Sequence, residues 1–154
     1  MDYAKIMTEV IKAQTKGTFR GLWGHYMASG QVDCIAITYD GYTLHLIPES
    51  MWLVDMEKIA PPCNSVDSLV KFDTVSAELT GNMMVNPAST KDTLEEVRNA
   101  FGVSAWVDTK LLKRFKDRYS KLTFGMMDCD NPQTSPIRVY DNGMLQGVIL
   151  PVRV

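Results

Sequence analysis

From Tyr3 onward the apolar residues recur at Tyr3, Ile6, Met7, Val10 and Ile11, the i, i+3, i+4, i+7, i+8 spacing of an amphipathic helix. Lys5, Glu9, Lys12 and Lys16 fall on the opposite side, and Gly17 is the expected stop. The pattern then changes to that of strands: "TFRGLWGHYMASGQVDCIAITYDGYTLHLIP" reads as three, with turn signals at Ser29-Gly30 and Asp40-Gly41 and an end at Pro48. Between Met51 and Val75 the pattern fades; Pro61-Pro62 marks a linker, and Val66 to Val75 reads as a further strand. "VSAELTGNMMV" reads as a hairpin around Gly81-Asn82. "STKDTLEEVRNAFG" suggests a short helix with Ser89 and Thr90 as caps, a stripe of Leu94, Val97 and Phe101, and Gly102 as the stop, after which "VSAWV" is a brief strand.

Asp108 then stands as N-cap to a second helix, "TKLLKRFKDRYSKL", whose apolar face is Leu111, Leu112, Phe115, Tyr119 and Leu122. At about 100° per residue, Lys110, Lys113, Arg114 and Lys121 lie within an arc of about 100° on the reverse face, with Asp117 the acid among them. "KLTFGMMD", "SPIRVYDN" and "MLQGVILPVRV" are three more strands, the last two joined at Asn142-Gly143. The final strand runs apolar to the last residue, whereas chain ends are commonly polar and frayed.

Two stretches of this pattern match. "IAITYDGYTLHLIP" ends at Pro48 and "PIRVYDNGMLQGVILP" at Pro151, with Tyr39-Asp40-Gly41 in the place of Tyr140-Asp141-Asn142-Gly143. Each follows an amphipathic helix with basic residues opposite its apolar face. The expected fold is therefore α+β, a duplicated helix-plus-antiparallel-sheet unit with half-units of about 1–80 and 81–154 sharing one core in a single domain.

Length and composition agree with one domain. A chain of 154 residues buries about 68–70% of the surface its unfolded form exposes, and 45% apolar with 22% charged residues is ordinary for a globular protein. No stretch resembles a membrane span, and Met1-Asp2-Tyr3-Ala4-Lys5 lacks the basic start and apolar run of a signal peptide, so a cytoplasmic location with no membrane partner is expected. Cys34, Cys63 and Cys129 form no C-x-x-C pair and read as thiols. The net charge of −2 weighs against wholesale nucleic-acid binding but leaves the charge of individual faces open.

Catalytic patterns are missing. His25 and His45 sit in strands without metal-ligand spacing, "GTFRGLWG" lacks the lysine and helix of a phosphate loop, and no G-x-S-x-G elbow occurs. Glu95-Glu96 reads as the polar face of a helix and Asp128-Cys129-Asp130 as a loop before Pro132. The expectation is a protein without catalysis, metal or cofactor. A hydrolase or nuclease using Asp128 and Asp130 ranks last.

Asp40-Gly41-Tyr42-Thr43-Leu44 resembles the D-G-x-x-L hairpin of the bacterial sliding clamp, the ring-shaped processivity factor of replicative DNA polymerases. Leu150-Pro151-Val152-Arg153-Val154 resembles that family's C-terminal M-P-x-R-L, and "VDTKLLKRF" resembles the start of a clamp helix. The resemblance covers residues 1–50 and 103–154. It implies two half-units with two helices facing double-stranded DNA, contacted through Lys5, Lys12 and Lys16 on the first helix and Lys110, Lys113, Arg114 and Lys121 on the second. It also implies a groove for polymerase-type peptides, lined by Tyr42 and Leu44 on one side and Leu150, Pro151 and Val152 on the other, with Arg153 at the rim. Clamps carry three such domains per chain, so a ring from this chain would need a homo-oligomer of about six copies. The alternative is a protein–protein interaction or inhibitor module of phage or mobile-element type that uses the same fold without DNA.

Overall fold

The computed structural model describes residues 1–18, 21–27, 32–63, 83–128 and 130–153. Their secondary structure is α+β, and every strand pairing described below is antiparallel. The chain divides into two compact units, Asp2–Val70 and Lys71–Val154, the second joined by Met1. No helix among the described residues is long and apolar enough to cross a membrane. The expected strand over 66–75 and the hairpin turn at Gly81-Asn82 lie outside the described residues, as does the turn at Ser29-Gly30.

The first unit opens with α1 (Tyr3–Thr15). Asp2 caps it, its carboxylate accepting from the Lys5 backbone N–H at 3.1 Å, and Gly17 follows the helix at φ +67°, a conformation that favours glycine. Ile6 and Val10 are buried, as the apolar spacing requires. Three strands then pair in sequence: β1 (Leu22–Tyr26), β2 (Cys34–Thr38) and β3 (Thr43–Pro48). All five residues of β2 and the first five of β3 are buried, so both faces of these strands are covered. This is why they read as nearly continuous apolar runs rather than as alternation. The turn between them spans Tyr39–Tyr42, where the Thr38 hydroxyl accepts from Gly41 N–H and the Asp40 carboxylate from Tyr42 N–H.

His45, on β3, is fully buried; its Nε2 lies 2.9 Å from the Thr43 hydroxyl and its ring stacks on Tyr39. Trp23 on β1 is also buried, and its indole N–H donates to Ala60 O while its own carbonyl accepts from Cys63 N–H. Those two bonds fix the connection after β3 along the outer side of β1. Gly21, just before β1, approaches the next strand too closely for any side chain: a Cβ there would stand 1.5 Å from Thr38 O.

The second unit contains β4 (Met83–Lys91), β5 (Leu94–Arg98), β6 (Ser104–Asp108), α2 (Thr109–Lys113), β7 (Thr123–Met126), β8 (Ile137–Asp141) and β9 (Met144–Ile149). Within the unit the strands stand in the order β9-β8-β7-β4-β5-β6. Met83, Val97, Val107, Leu112, Phe115, Leu122, Phe124, Ile137, Val139 and Ile149 belong to one buried cluster to which every strand and α2 contribute. Asn142 and Gly143 both have positive φ (55° and 77°) between the paired Asp141 and Met144, the two-residue hairpin that this dipeptide favours. The matching position in the first unit is the longer Tyr39–Tyr42 turn, so the two hairpins share residues but not turn geometry.

Two expectations need correction. The segment 89–102 is not a helix: it is the end of β4, a turn in which Asp92 takes φ +52°, and β5. The Leu94–Val97–Phe101 stripe was too short to decide between periods, and strand pairing on both sides of β5 overrides the helix preference of Glu95 and Glu96. Phe101 is not core at all but stands 87% exposed at the β5–β6 turn.

The second helix is also shorter than expected. Asp108 does cap it, accepting from Lys110 N–H at 2.7 Å, but α2 ends at Lys113, and the bonds that follow tighten to Arg114 N–H to Leu111 O and Phe115 N–H to Leu112 O. Lys116 then pairs with Asp141 at 2.9 Å, and Tyr119 starts a separate single turn, Tyr119–Lys121. Leu112, Phe115 and Leu122 are all fully or almost fully buried, so the apolar spacing served the core without one continuous helix.

The apolar tail has a structural role. After β9 the chain turns at Leu150-Pro151, and Val152 N–H donates to Trp106 O on β6 at 2.8 Å. β9 and β6 stand at opposite ends of this unit's strand order, so the tail carries the chain from one end to the other and satisfies a backbone acceptor on an edge strand. Val148, by contrast, fills the interior.

Replacing Gly21 by Ala is expected to destabilise the protein by about 3 kcal/mol or more, because backbone rather than a flexible side chain must give way; urea unfolding of the purified variant measures it. A wild-type midpoint would contradict the close approach. The Tyr119 hydroxyl donates to the Glu95 carboxylate at 2.7 Å, and this bond, then burial and the Glu95 charge, raise the phenol pKa above 10.0. Below the unfolded value both states keep the proton and the bond is in force; above it the unfolded chain loses its proton first, so stability falls as pH rises through the folded value. Unfolding curves between about pH 8 and 11 should show a smaller alkaline loss for Tyr119→Phe than for wild type.

Candidate nucleic-acid interface

On α1 the lysines form a row. Lys5, Lys12 and Lys16 are all exposed, and at about 100° per residue they lie within about 40° of one another. At about 1.5 Å per residue the row is about 16 Å long. Lys12 is 3.7 Å from Glu9, an exposed pair of small energetic weight. Lys5 and Lys16 make no ion pair with a described residue. Lys12 and Lys16 also stand at the end of the helix where the backbone dipole favours cations, which is a structural reason for their presence beside any binding role. The helix that carries the row is anchored by Ile6 and Val10 on its opposite side and by the Asp2 cap.

The expected second basic face is not built as a helix face. Lys110 and Lys113 are exposed on the five-residue α2, Arg114 is its half-buried C-cap, and Lys121 is exposed in the separate turn beyond. These cations are brought to one stretch of chain but not to one row, because the helix stops where Phe115 enters the core. The start of α2 is held by Thr109, whose N–H and hydroxyl both donate to Thr93 O at 2.9 Å.

Of the residues expected to line a peptide groove, Tyr42 is 59% exposed at the tip of the β2–β3 hairpin, whereas Leu44 is buried in β3 and offers no surface. In the second unit Leu150 is 37% exposed, Pro151 and Val152 are half-buried, and Arg153 is exposed. Val152 is committed through its backbone to Trp106.

The residues weighed for catalysis have structural partners. His25 Nδ1 lies 2.6 Å from Glu49 Oε1 on the surface. The Asp128 carboxylate shapes its own loop, accepting from Asp130 N–H at 3.0 Å and from the Asn131 amide at 2.9 Å. Among the described residues no three His, Cys, Asp or Glu side chains gather as a metal site. Burial, then the charges of Asp33 and Glu49, push the Cys34 thiol pKa up, which favours the unreactive thiol.

Two features went unread in the sequence. Ile11 belongs to the helix stripe yet is 49% exposed, and Leu53 is 85% exposed in the connection after β3. A helical stripe wider than its packing partner was the available signal for Ile11; for Leu53 there was none. Comparison with protein-family models, with curated proteins and with solved structures finds no match for this chain.

The cap that positions the row is open to test. Asp2→Ala should cost about 1 kcal/mol of stability and speed amide exchange in the first turn of α1, at Lys5 above all. Exchange at Lys5 equal to wild type would show that the cap does not hold the row's first member.

Proposed function

We propose that this chain is a non-catalytic, DNA-associated binding module resembling a sliding-clamp domain, which meets duplex DNA through the lysine row of α1. The observation that carries the reading is the row itself: three exposed cations in one line on a helix of a chain whose net charge is −2. Such contacts engage phosphates, carry no sequence information and weaken as salt displaces them. Further support comes from organisation, since α1 is followed by the antiparallel series β1-β2-β3 and α2 by β7-β8-β9, the arrangement a duplicated helix-plus-sheet unit would have. Strands β4 to β6 have no counterpart before α1 among the described residues. Lys110, Lys113, Arg114 and Lys121 add positive charge in the second unit without forming a row.

A second reading, a protein–protein interaction or inhibitor module, is favoured by the exposed apolar side chains Tyr42 and Leu53. It would show itself as no measurable affinity for duplex DNA, with the lysines intact or with their charges reversed.

The test is fluorescence anisotropy on a labelled duplex across a salt series, comparing wild type with Lys5→Glu, Lys16→Glu. Affinity at low salt should drop about tenfold or more, and the slope of log K against log salt should become shallower by about 2. Unchanged affinity and slope would remove α1 as the DNA-binding surface.

A further inference from the structure

The lysine-bearing helix also carries an apolar edge. The backbone N–H of Leu53 reaches the Met7 sulfur at 3.3 Å, which seats the connection after β3 against α1. Met7 and Ile11 are one helical turn apart on the same side, so the connection that carries the exposed Leu53 meets α1 at its apolar edge. Around the helix from Ile11 to the lysine row stand Ala4, Thr8 and Thr15, all exposed and short, and no bulky group separates edge from row.

The charges at this surface are unevenly compensated. Glu49 is engaged by His25, Asp55 lies 3.8 Å from Lys58, and Glu9 pairs with Lys12. Lys5 and Lys16 are the members of the row that make no ion pair with a described acid; the Asp2 cap bonds the backbone N–H of Lys5 and Glu9 is taken by Lys12. The surface therefore offers apolar side chains along one edge and cations along the other. Its complement is a helix with an apolar stripe bordered by carboxylates, the helix-on-groove mode of recognition. Nucleic acid would use the lysines and leave Ile11 and Leu53 unexplained.

We propose that this face of α1, with Leu53, docks an acidic amphipathic helical segment of a partner protein. The partner's apolar stripe buries Ile11 and Leu53, and its carboxylates meet Lys5 and Lys16. Burial of the two side chains supplies the affinity, while the exposed ion pairs set orientation and the rate of encounter. This goes beyond the DNA reading and stands whether or not that reading holds.

The probe is a fluorescein-labelled synthetic helix of about 20 residues, with leucines on one face and glutamates elsewhere, titrated with the full chain at physiological salt. Saturable binding is expected, weakened about tenfold or more both by Ile11→Ser, Leu53→Ser and by Lys5→Glu, Lys16→Glu. Polyglutamate of the same length should not displace the probe, and Leu53→Met should bind within about threefold of wild type. Both apolar positions are exposed, so the serine variant should fold, as its melting curve will confirm; its affinity for duplex DNA should match wild type, which separates this proposal from the DNA reading. Absence of binding, equal binding by the serine variant, or displacement by polyglutamate would overturn it.

Discussion

The burial of Phe115 and Leu122 is the constraint on which the second unit depends. Each strand of that unit and α2 turns apolar residues toward the same cluster, and these two side chains join it from the stretch after α2, which is neither strand nor α-helix. To deliver both, the chain leaves the helix after Lys113, forms the Lys116–Asp141 ion pair, and re-enters at the turn held by Tyr119 on Glu95. The cost falls on the surface. A helix of five residues cannot present the basic row that its sequence promises, and the cations of this region end up on three different local structures.

The same competition explains what the sequence revealed and what it hid. Long-period signals backed by local chemistry survived: α1 with its glycine stop, the strand runs of 22–48, and the Asn142-Gly143 hairpin, whose residues tolerate the positive φ the turn demands. The segment 89–102 misleads because its helix formers offer only a three-residue stripe, while its state is decided by hairpin pairing of β5 with β4 across the turn at Asp92 and with β6 across residues 99–103. Leu44 was placed on a groove wall by its motif, yet its strand is covered on both faces. The apolar end of the chain was legible as unusual, but not its destination, since nothing in Val152 points to Trp106 on a strand more than forty residues earlier.

Function follows from which surface keeps its charge and its apolar contact after the core is satisfied. In the first unit α1 commits only Ile6 and Val10 to full burial, so one long helix remains with a lysine row on its outer side and an apolar edge next to it. On the proposed readings the row would meet a polyanion and the edge a protein, with short residues between the two along the helix.

The claim most exposed to contradiction is that the chain meets duplex DNA electrostatically. Solution mass by light scattering, with and without duplex across a salt series, addresses it without mutation. A complex is expected at low salt that dissociates steadily as salt rises. A mass that duplex DNA leaves unchanged at every salt concentration would contradict it.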